Sequence, residues 1–287
     1  MMAVRSLLFV PATDERRMEK ALGLAADGVV FDLEDAVAVS RKPAAREAIA
    51  RWSAAPRTGR LFVRVNAVGT PFALRDLDTV AVAGVDGVVL PMAESACDVR
   101  IADWGLTQFE RERGLEPGAI EILPLVETAR GLEQRREILT ASERVRRAAF
   151  GAGDWCANTG MAWTADNSGL LAARFALAVA SRASDRESPI DTAFTDIRDQ
   201  GAFAAEARTA RDLGYQGKFC IHPAQVEHAN RIFSPSAEEL ERARAIWNGF
   251  LEGEAAGVAS LVIDDQFVDY PVAYQARAVL ERAGEAT

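Results

Sequence analysis

The feature that most constrains the fold is a repeated alternation of short apolar runs with segments of helical spacing. Strands that alternate with helices predict right-handed parallel crossovers. Eight runs with no strand left over favour a closed (β/α)₈ TIM barrel over an open sheet. The predicted strands are 6–10, 28–31, 61–65, 87–91, 121–126, 147–150, 188–191 and 218–221.

The runs are almost continuously apolar, as expected for parallel strands that helices cover on both faces. An open doubly wound sheet is the competing architecture, but no GxGxxG motif follows the first run. A chain of 287 residues is long enough to form a barrel as one domain. We therefore predict that residues 1–233 form an α/β domain of the (β/α)₈ class.

Residues 234–287 continue beyond the eighth run, and we predict a C-terminal helical and hairpin extension that acts as a lid or an oligomer arm. Ser234-Pro-Ser236 ends one helix and caps the next. The extension then contains a helix from Ala237 to about Leu251, a hairpin pattern over 258–268 that turns at Asp264-Asp265, and a helix from Pro271.

Composition excludes several classes of protein. A net charge of −9 argues against nonspecific nucleic-acid binding, which needs a basic surface. No run approaches the 18 or so apolar residues of a membrane span, and the first apolar run is too short for a signal peptide. The cysteines Cys97, Cys156 and Cys220 are odd in number and far apart, which favours reduced thiols in a cytoplasmic protein.

Two acidic residues follow consecutive apolar runs. Glu127 comes after the fifth run and Asp154 after the sixth, 27 positions apart, which fits one strand–helix repeat. The two carboxylates should therefore stand side by side at one end of the barrel, where hard oxygen ligands suit magnesium or manganese. Capping of the following helix is the commoner use of an acid in such a place, and it remains the alternative.

Other polar residues also follow the runs directly. In a barrel these positions lie on the carboxyl-terminal rim, where this fold places its chemistry. Polar loops and helix caps would explain any one of them, but they explain less well why an arginine and a histidine join the acids. The residues are Asp32 with Glu34 and Asp35, Arg64 with Asn66, Glu94, Asp191 and His222.

Several motifs together resemble the citrate lyase beta subunit and the malyl-CoA and citramalyl-CoA lyases of the HpcH/HpaI aldolase superfamily. They occur in the family order and cover nearly the whole chain. Singly they are weak, but jointly they are specific. The motifs are RSLLFVP (5–11), FDLEDAV (31–37), VRVN (63–66), VLP (89–91), LPLVETARG (123–131), FGAGD (150–154), GKFCIHP (217–223) and VDYP (268–271).

The resemblance implies a magnesium ion held by Glu127 and Asp154, with Arg64 and Glu127 in contact with the substrate. Arg64 matches the family arginine that binds the carboxylate and carbonyl oxygen of an α-keto acid, a task that suits a planar guanidinium. The alternative for Arg64 is a salt bridge to the acids at 32–35. Both hold if Asp32, Glu34 or Asp35 orients Arg64 or metal-bound water.

The resemblance also implies a catalytic lid and a coenzyme A site. Asp269 matches a lid aspartate that transfers a proton, commonly over the barrel of a neighbouring subunit; its alternative is to cap the helix from Pro271. Arg17 and Lys20 match positions that pair with coenzyme A phosphates, or else are solvated helix charges. His222 and Pro223 match the family's Ile-His-Pro motif and are expected on the rim, in a structural or pantetheine-facing role.

The chain departs from the family pattern around the expected pocket. Met92 stands where the family often has lysine, which removes a cation from the rim. Gly153 replaces the usual acidic residue before the metal aspartate, and the run 155–158 also differs. Trp163 lies in an unusual loop before a long helix over 167–183. Substrate choice is therefore the part of the function that these differences affect.

The resemblance implies a magnesium-dependent carbon–carbon lyase. Its substrate would be a 3-hydroxyacyl-CoA of the citryl-, malyl- or citramalyl-CoA type, and its products a short acyl-CoA and an α-keto acid. The alternatives are an aldolase on free hydroxy-keto acids, an acyl-CoA thioesterase, or a subunit that needs an acyl-carrier partner. A homo-oligomer, a trimer or two stacked trimers, is also expected.

Overall fold

Eight parallel strands close into a barrel in the computed structural model, which describes residues 4–164 and 166–285. Each strand pairs with the next along the chain, and β1 pairs with β8. The predicted (β/α)₈ class is therefore confirmed. The strands are β1 Ser6–Pro11, β2 Gly28–Asp32, β3 Arg60–Arg64, β4 Gly87–Leu90, β5 Glu121–Val126, β6 Ala149–Phe150, β7 Ile190–Asp191 and β8 Gly217–Cys220.

Helices connect all neighbouring strands, as the spacing of apolar residues predicts. Two short 3₁₀ turns, Val39–Arg41 and Ser168–Leu170, precede the second and eighth helices. The helices are α1 Glu15–Leu22, α2 Lys42–Trp52, α3 Ala73–Val80, α4 Ala96–Glu112, α5 Ala129–Glu133, α6 Arg135–Leu139, α7 Ala152–Thr159, α8 Leu171–Ala183, α9 Gln200–Asp212 and α10 Pro223–Ile232.

The strand register brings the ends of neighbouring strands together. Asp32, the last residue of β2, pairs with Pro11 on one side and Arg64 on the other. Val126 pairs with Phe150, so the residues that follow β5 and β6 leave the barrel side by side. The interior is filled by alternate strand residues, which point inward because the side chains of a strand alternate between its faces. They include Leu7, Val30, Phe62, Val89, Leu123, Ile190 and Phe219.

Strands β6 and β7 are each two residues long, shorter than the four-residue runs predicted for them. Before β6, the buried Arg147 forms ion pairs with Glu121 at 3.3 Å and Glu187 at 2.9 Å. Before β7 lies Pro189, which has no N–H to give to a strand ladder. The length of an apolar run therefore overestimates the length of the strand when the first residues of the run form an ion pair or include proline.

Residues 231–285 form a compact unit of their own, and residues 4–230 form the other. The smaller unit contains α11 Ala237–Ala255, the hairpin of β9 Leu261–Ile263 and β10 Gln266–Val268, and α12 Tyr270–Arg282. The hairpin is confirmed, with Asp264 and Asp265 both at positive φ as a two-residue type I′ turn requires. Its core includes Ile246, Trp247, Phe250, Val268 and Leu280.

None of the helices in the described part of the chain has the length and apolar composition needed to cross a bilayer. The three cysteines are free thiols. Cys220 is buried in β8, and Cys156 on α7 is half-buried. Burial raises the pKa of both thiols, which disfavours the reactive thiolate form at neutral pH.

Candidate active site

Glu127 follows β5 directly, and its carboxylate is held from two sides. Its side chain is almost fully buried, and Oε1 accepts a hydrogen bond of 2.8 Å from the backbone N–H of Met92. Met92 has a positive φ of 50°, an uncommon conformation for a residue with a side chain. On the other side, a Cβ at Gly151 would lie only 2.5 Å from Oε2. Glycine at 151 is therefore what lets the chain pass so close to this carboxylate.

Burial raises the pKa of Glu127 well above its ordinary value. The Met92 N–H opposes this shift in the pKa, while repulsion from Asp154 and Glu34 adds to it. Arg64 also lowers the pKa of Glu127. Negative charges are thus crowded around Glu127, and a bound cation would relieve their repulsion.

Asp154 lies in the first turn of α7, and its side chain is exposed. The start of α7 is anchored to the end of β7, because the Thr192 hydroxyl accepts a 2.8 Å hydrogen bond from the Ala152 N–H. Gly151 is the N-cap residue of α7, with no side-chain cap bond, and Thr128 caps α5. Neither Glu127 nor Asp154 caps the helix that follows it, so the capping alternative does not describe them.

Arg64, at the end of β3, is held by the acids that follow β2. Its Nε and Nη2 donate to the two carboxylate oxygens of Asp32 at 2.8 and 2.6 Å, and Nη1 lies 2.7 Å from Glu34 Oε2. Asp35 lies farther away, at 3.6 Å. The guanidinium also sits 5.1 Å from the ring centre of Phe9. The salt bridge considered as an alternative for Arg64 is therefore present.

This salt bridge does not use the whole guanidinium. An arginine carries five N–H donors, and the contacts with Asp32 and Glu34 engage one on Nε, one on Nη2 and one on Nη1. The other N–H on each Nη atom donates no hydrogen bond within the described residues, and Asp35 Oδ2 lies 3.6 Å from Nη1 as a longer ion pair. A carboxylate can therefore still bind to Arg64 while the two acids hold its plane.

Glu34 has a pKa of about 7 in this environment. Burial is the largest cause, Arg64 lowers the pKa, and repulsion from Asp35, Asp32 and Asp154 raises it. Asp32, Glu34 and Asp35 raise the pKa of Arg64, against the effect of burial. The guanidinium therefore stays charged, while Glu34 exchanges a proton near neutral pH.

A pocket of about 150 Å³ brings Arg64, Glu127 and Asp154 together. Two carboxylates face one guanidinium across a wall that is otherwise apolar or small. The other lining residues are Phe9, Leu125, Gly151, Gly153, Trp163, Thr192, Ala193, Thr195 and Phe219.

The donor set fits a hard divalent cation. Glu127 and Asp154 offer carboxylate oxygens, and no group of three or more acid, histidine or cysteine ligands is assembled in the described chain. Magnesium commonly uses one or two protein carboxylates and leaves its other positions to water and to substrate oxygens. The crowded negative charge around Glu127 is a further match to a cation.

The residues predicted to bind coenzyme A are not among those that line the pocket. Arg17 and Lys20 are exposed on α1, and Arg17 pairs with the helix-capping Asp14 at 3.0 Å. His222 is exposed after β8, and its Nδ1 accepts a 3.2 Å hydrogen bond from the Ala224 N–H. Their binding roles remain predictions.

Pro223 and Asp269 each lie at the N-terminus of a helix. Pro223 is exposed and begins α10. Asp269 caps α12 in the smaller unit, where its carboxylate accepts a 3.3 Å hydrogen bond from the Val272 N–H. The capping alternative for Asp269 is therefore realised, and its part in proton transfer remains a prediction.

Two polar residues expected on the rim have side chains that turn into the layer between strands and helices. Asp191 is fully buried against Arg174 and Lys218, and Asn66 is buried against Lys42 and Asp76. Ile190 belongs to the barrel interior. Because side chains alternate along a strand, Asp191 must point outward.

Sequence reasoning missed several pocket residues. Phe9 and Phe219 belong to apolar runs, and nothing in their local pattern distinguishes them from core residues. Thr192 and Thr195 follow the seventh run, where position alone would have nominated them. Trp163 stands out in the sequence only as a departure from the family pattern, yet it is part of the pocket wall.

Comparison with known proteins identifies close relatives. Residues 5–223 match the family model described as HpcH/HpaI aldolase/citrate lyase. The chain is 34% identical to the citrate lyase subunit beta of Haemophilus influenzae, over 97% of this chain and 96% of that protein. It is also 34% identical to a (3S)-malyl-CoA thioesterase of Cereibacter sphaeroides, over 97% and 94% of the two chains.

A solved structure agrees with these sequence matches. The protein CitE of Mycobacterium tuberculosis, in complex with magnesium, acetoacetate and coenzyme A, is similar to this chain with a TM-score of 0.80 and 34% sequence identity. The similarity covers 99% of both chains. Fold, motif order and sequence identity all agree, and the chain therefore belongs to the HpcH/HpaI aldolase/citrate lyase family.

Proposed function

We propose that this protein is a magnesium-dependent carbon–carbon lyase for a 3-hydroxyacyl-CoA that carries a carboxylate on C3. The products are a short acyl-CoA and an α-keto acid. The observation that carries the proposal is the pocket in which Glu127 and Asp154 face Arg64. Similarity to a citrate lyase subunit and to a structure that holds magnesium and coenzyme A supports it.

In this proposal, the three charged residues of the pocket hold the metal ion and the substrate carboxylate. Glu127 and Asp154 would hold the ion, with manganese as the alternative to magnesium. Arg64 binds the carboxylate on C3 through the N–H groups that Asp32 and Glu34 leave available. Bound at the two carboxylates, a divalent cation supplies a Lewis acid that stabilises negative charge on the reacting oxygen.

The reaction transfers one proton away from the substrate and one proton back. A base removes the proton of the C3 hydroxyl, the C3 oxygen forms a carbonyl, and the C2–C3 bond breaks. The electron pair of that bond passes into the thioester as an enolate, which is then protonated at C2. We assign the proton transfer to Asp269. The apolar wall of the pocket keeps water from the enolate.

Coenzyme A needs cations for its phosphates, and we propose Arg17 and Lys20 for this role, with His222 and Pro223 beside the pantetheine. In this proposal, Asp32, Glu34 and Asp35 keep Arg64 oriented. A homo-oligomer of three or six chains, with residues 234–287 as lid or arm, and a cytoplasmic location belong to the same proposal.

The first test is removal of the proposed metal ligands. Glu127→Gln and Asp154→Asn keep the shape of each side chain but remove a charge that the ion needs. We expect each variant to lose magnesium-dependent cleavage by at least about 1,000-fold, because a missing charge weakens both metal binding and transition-state stabilisation.

The assay measures α-keto acid release from malyl-, citramalyl- and citryl-CoA, with products identified by mass, and calorimetry measures magnesium affinity. Glu133→Gln is the matched control, because it removes a carboxylate from an exposed position on α5. Full activity in either ligand variant would refute the assignment.

Hydrolysis of the thioester is a second candidate, favoured by the similarity to a malyl-CoA thioesterase. It would release free coenzyme A and the hydroxy acid, whereas the lyase releases an acyl-CoA and a keto acid. The mass of the products separates the two reactions. The same assay on free hydroxy acids tests the aldolase alternative.

A subunit that acts only in a complex is the remaining candidate, favoured by the similarity to a citrate lyase subunit beta. The chain purified alone would then cleave no free acyl-CoA. It would gain activity when an acyl-carrier protein presents the same acyl group.

A further inference from the structure

We infer that Trp163 determines specificity by limiting the α-keto acid to one with a small, uncharged group beyond its carbonyl, hydrogen or methyl. The inference rests on the proposed function, because it concerns the group that occupies the same pocket. The third substituent on C3 of the substrate is the group in question. It is hydrogen in malyl-CoA, methyl in citramalyl-CoA and carboxymethyl in citryl-CoA.

The first observation is the position of the indole ring. Trp163 lines the pocket with Arg64 and Asp154. Its Cζ3 atom lies 3.8 Å from the place that a Cβ would take at Gly153, so the ring lies beside the first turn of α7 next to Asp154. Glycine at 153 places no side chain between the ring and the pocket. The wall nearest the proposed metal ligand is therefore a large, flat, apolar surface.

The second observation is that the ring is held in place. Trp163 Nε1 donates a 2.7 Å hydrogen bond to Asn167 Oδ1. Asn167 is itself buried and adopts a left-handed conformation, with φ of 54°. Its Nδ2 donates to Glu206 Oε2 on α9. Both ends of the Asn167 amide are thus used, and its orientation is determined by the partners on either side.

Glu206 belongs to a buried ion cluster that joins two helices to two strands. Arg174 on α8 and Lys218 on β8 both contact Glu206 and Asp191, with distances between 2.5 and 3.2 Å. Two acids and two bases make the cluster neutral, as a buried group of charges needs to be. Asp191 is followed by Thr192, another pocket residue. Hydrogen bonds through Asn167 and Glu206 therefore connect Trp163 to the buried ion cluster of the barrel.

The third observation is the charge of the pocket. Among its described lining residues, Arg64 is the one cation, and it is committed to the carboxylate on C3. The uncharged lining residues include the apolar Phe9, Leu125 and Phe219 and the hydroxyl-bearing Thr192 and Thr195. A carboxymethyl group against Trp163 would have no cationic side chain as its partner, because Arg64 binds the other carboxylate and the ion at Glu127 and Asp154 serves the reacting oxygen, and moving its charge out of water is costly. A hydrogen or methyl group meets no such penalty.

The experiment compares thioesters whose third substituent on C3 is hydrogen, methyl or carboxymethyl. With magnesium present, we expect the wild-type protein to prefer the hydrogen or the methyl thioester to the carboxymethyl thioester. The kcat/KM of the better of these two substrates should exceed that of the carboxymethyl thioester by at least about tenfold, a ratio that pocket shape alone can supply. Trp163→Ala should reduce that ratio by about tenfold, because the wall is removed.

Further variants distinguish the loss of the Trp163 surface from a loss of folding. Trp163→Leu tests the wall if the alanine variant does not fold. Asn167→Gly permits the left-handed backbone and removes both amide contacts, so it should lower the ratio in the same direction. Trp104→Ala is the matched control, because Trp104 is 63% exposed on α4 and is not a pocket residue. It should leave the ratio unchanged.

A binding measurement keeps the inference separate from the proposed reaction. Calorimetry with magnesium would compare pyruvate with 2-oxopentanoate, which differ by two methylene groups. We expect wild type to favour pyruvate by at least about tenfold and the Trp163 variants to lose this preference. If wild type cleaves no thioester but shows this binding pattern, the lyase proposal fails and the inference stands. An unchanged preference in a folded Trp163 variant, or no keto-acid binding by wild type, would overturn it.

Discussion

Glu34 should make the stability of the metal-free protein fall as the pH rises. Its folded pKa is about 7, above its ordinary value of 4.5. Between these values the folded state keeps a proton that the unfolded state has released, so protonation favours folding there. This contribution is fully present below pH 4.5 and is lost as the pH rises through 7. Glu34→Gln has no such proton, and the contribution should be missing from it.

The size of the effect follows from the displacement of the pKa. A rise from 4.5 to about 7 corresponds to about 3 kcal/mol of unfolding free energy, at about 1.4 kcal/mol per unit. The loss of the contact with Arg64 shifts the stability of Glu34→Gln by an amount of its own. The diagnostic quantity is therefore the difference in unfolding free energy between wild type and Glu34→Gln, and how that difference changes with pH.

Urea denaturation of both proteins between pH 4.5 and pH 8, with a chelator present, measures this quantity. The wild-type advantage over Glu34→Gln should decrease by about 3 kcal/mol across the range. Magnesium should flatten the decrease, because a cation at Glu127 and Asp154 offsets part of the repulsion on Glu34. Glu133→Gln, on the exposed face of α5, is the control and should follow wild type. Parallel curves for wild type and Glu34→Gln would refute the electrostatic argument.

Gly151→Ala should weaken magnesium binding by at least about tenfold in calorimetry. The new Cβ would lie 2.5 Å from Glu127 Oε2 and would displace that carboxylate oxygen. Gly69→Ala is the control, because a Cβ at position 69 meets nothing within 4 Å. Equal affinity in both would contradict the close-approach argument. Lys218→Met should lower the unfolding free energy by about 3 to 5 kcal/mol, because it leaves a buried cluster with uncompensated charge. Arg277→Ala, which breaks an exposed ion pair, should lower the unfolding free energy by less than about 1 kcal/mol. Similar losses of unfolding free energy in the two variants would contradict the argument that the buried cluster depends on its balance of charge.

The order of the strands was predictable because it depends on a pattern that repeats along the chain. Eight apolar runs separated by helical segments leave few ways to close a parallel sheet. The ends of β6 and β7 were less predictable, since Arg147 and Pro189 stand in runs that look like strand. An ion pair with Glu121 and a missing N–H decide those boundaries, and neither shows in local hydrophobicity.

The candidate site was predictable for residues whose position at the end of a strand also determines where their side chains point. Arg64 ends β3, Glu127 follows β5 and Asp154 follows β6, and the three residues line one pocket. Asp191 also ends a strand, but Ile190 fills the interior, and the alternation of side chains turns Asp191 outward. A polar residue at the end of a strand therefore indicates a rim position but does not guarantee one.

The sequence by itself determined the barrel, the order of its strands and the end at which charged residues gather, because these depend on periodicity and chain order. Only the tertiary structure decided which of those residues share a pocket, and it added Trp163, Asn167 and Glu206, whose contacts join segments up to 39 positions apart. Local patterns carry no information about such contacts. They arise when helices α8 and α9 pack against the strands and each buried polar group must find a partner.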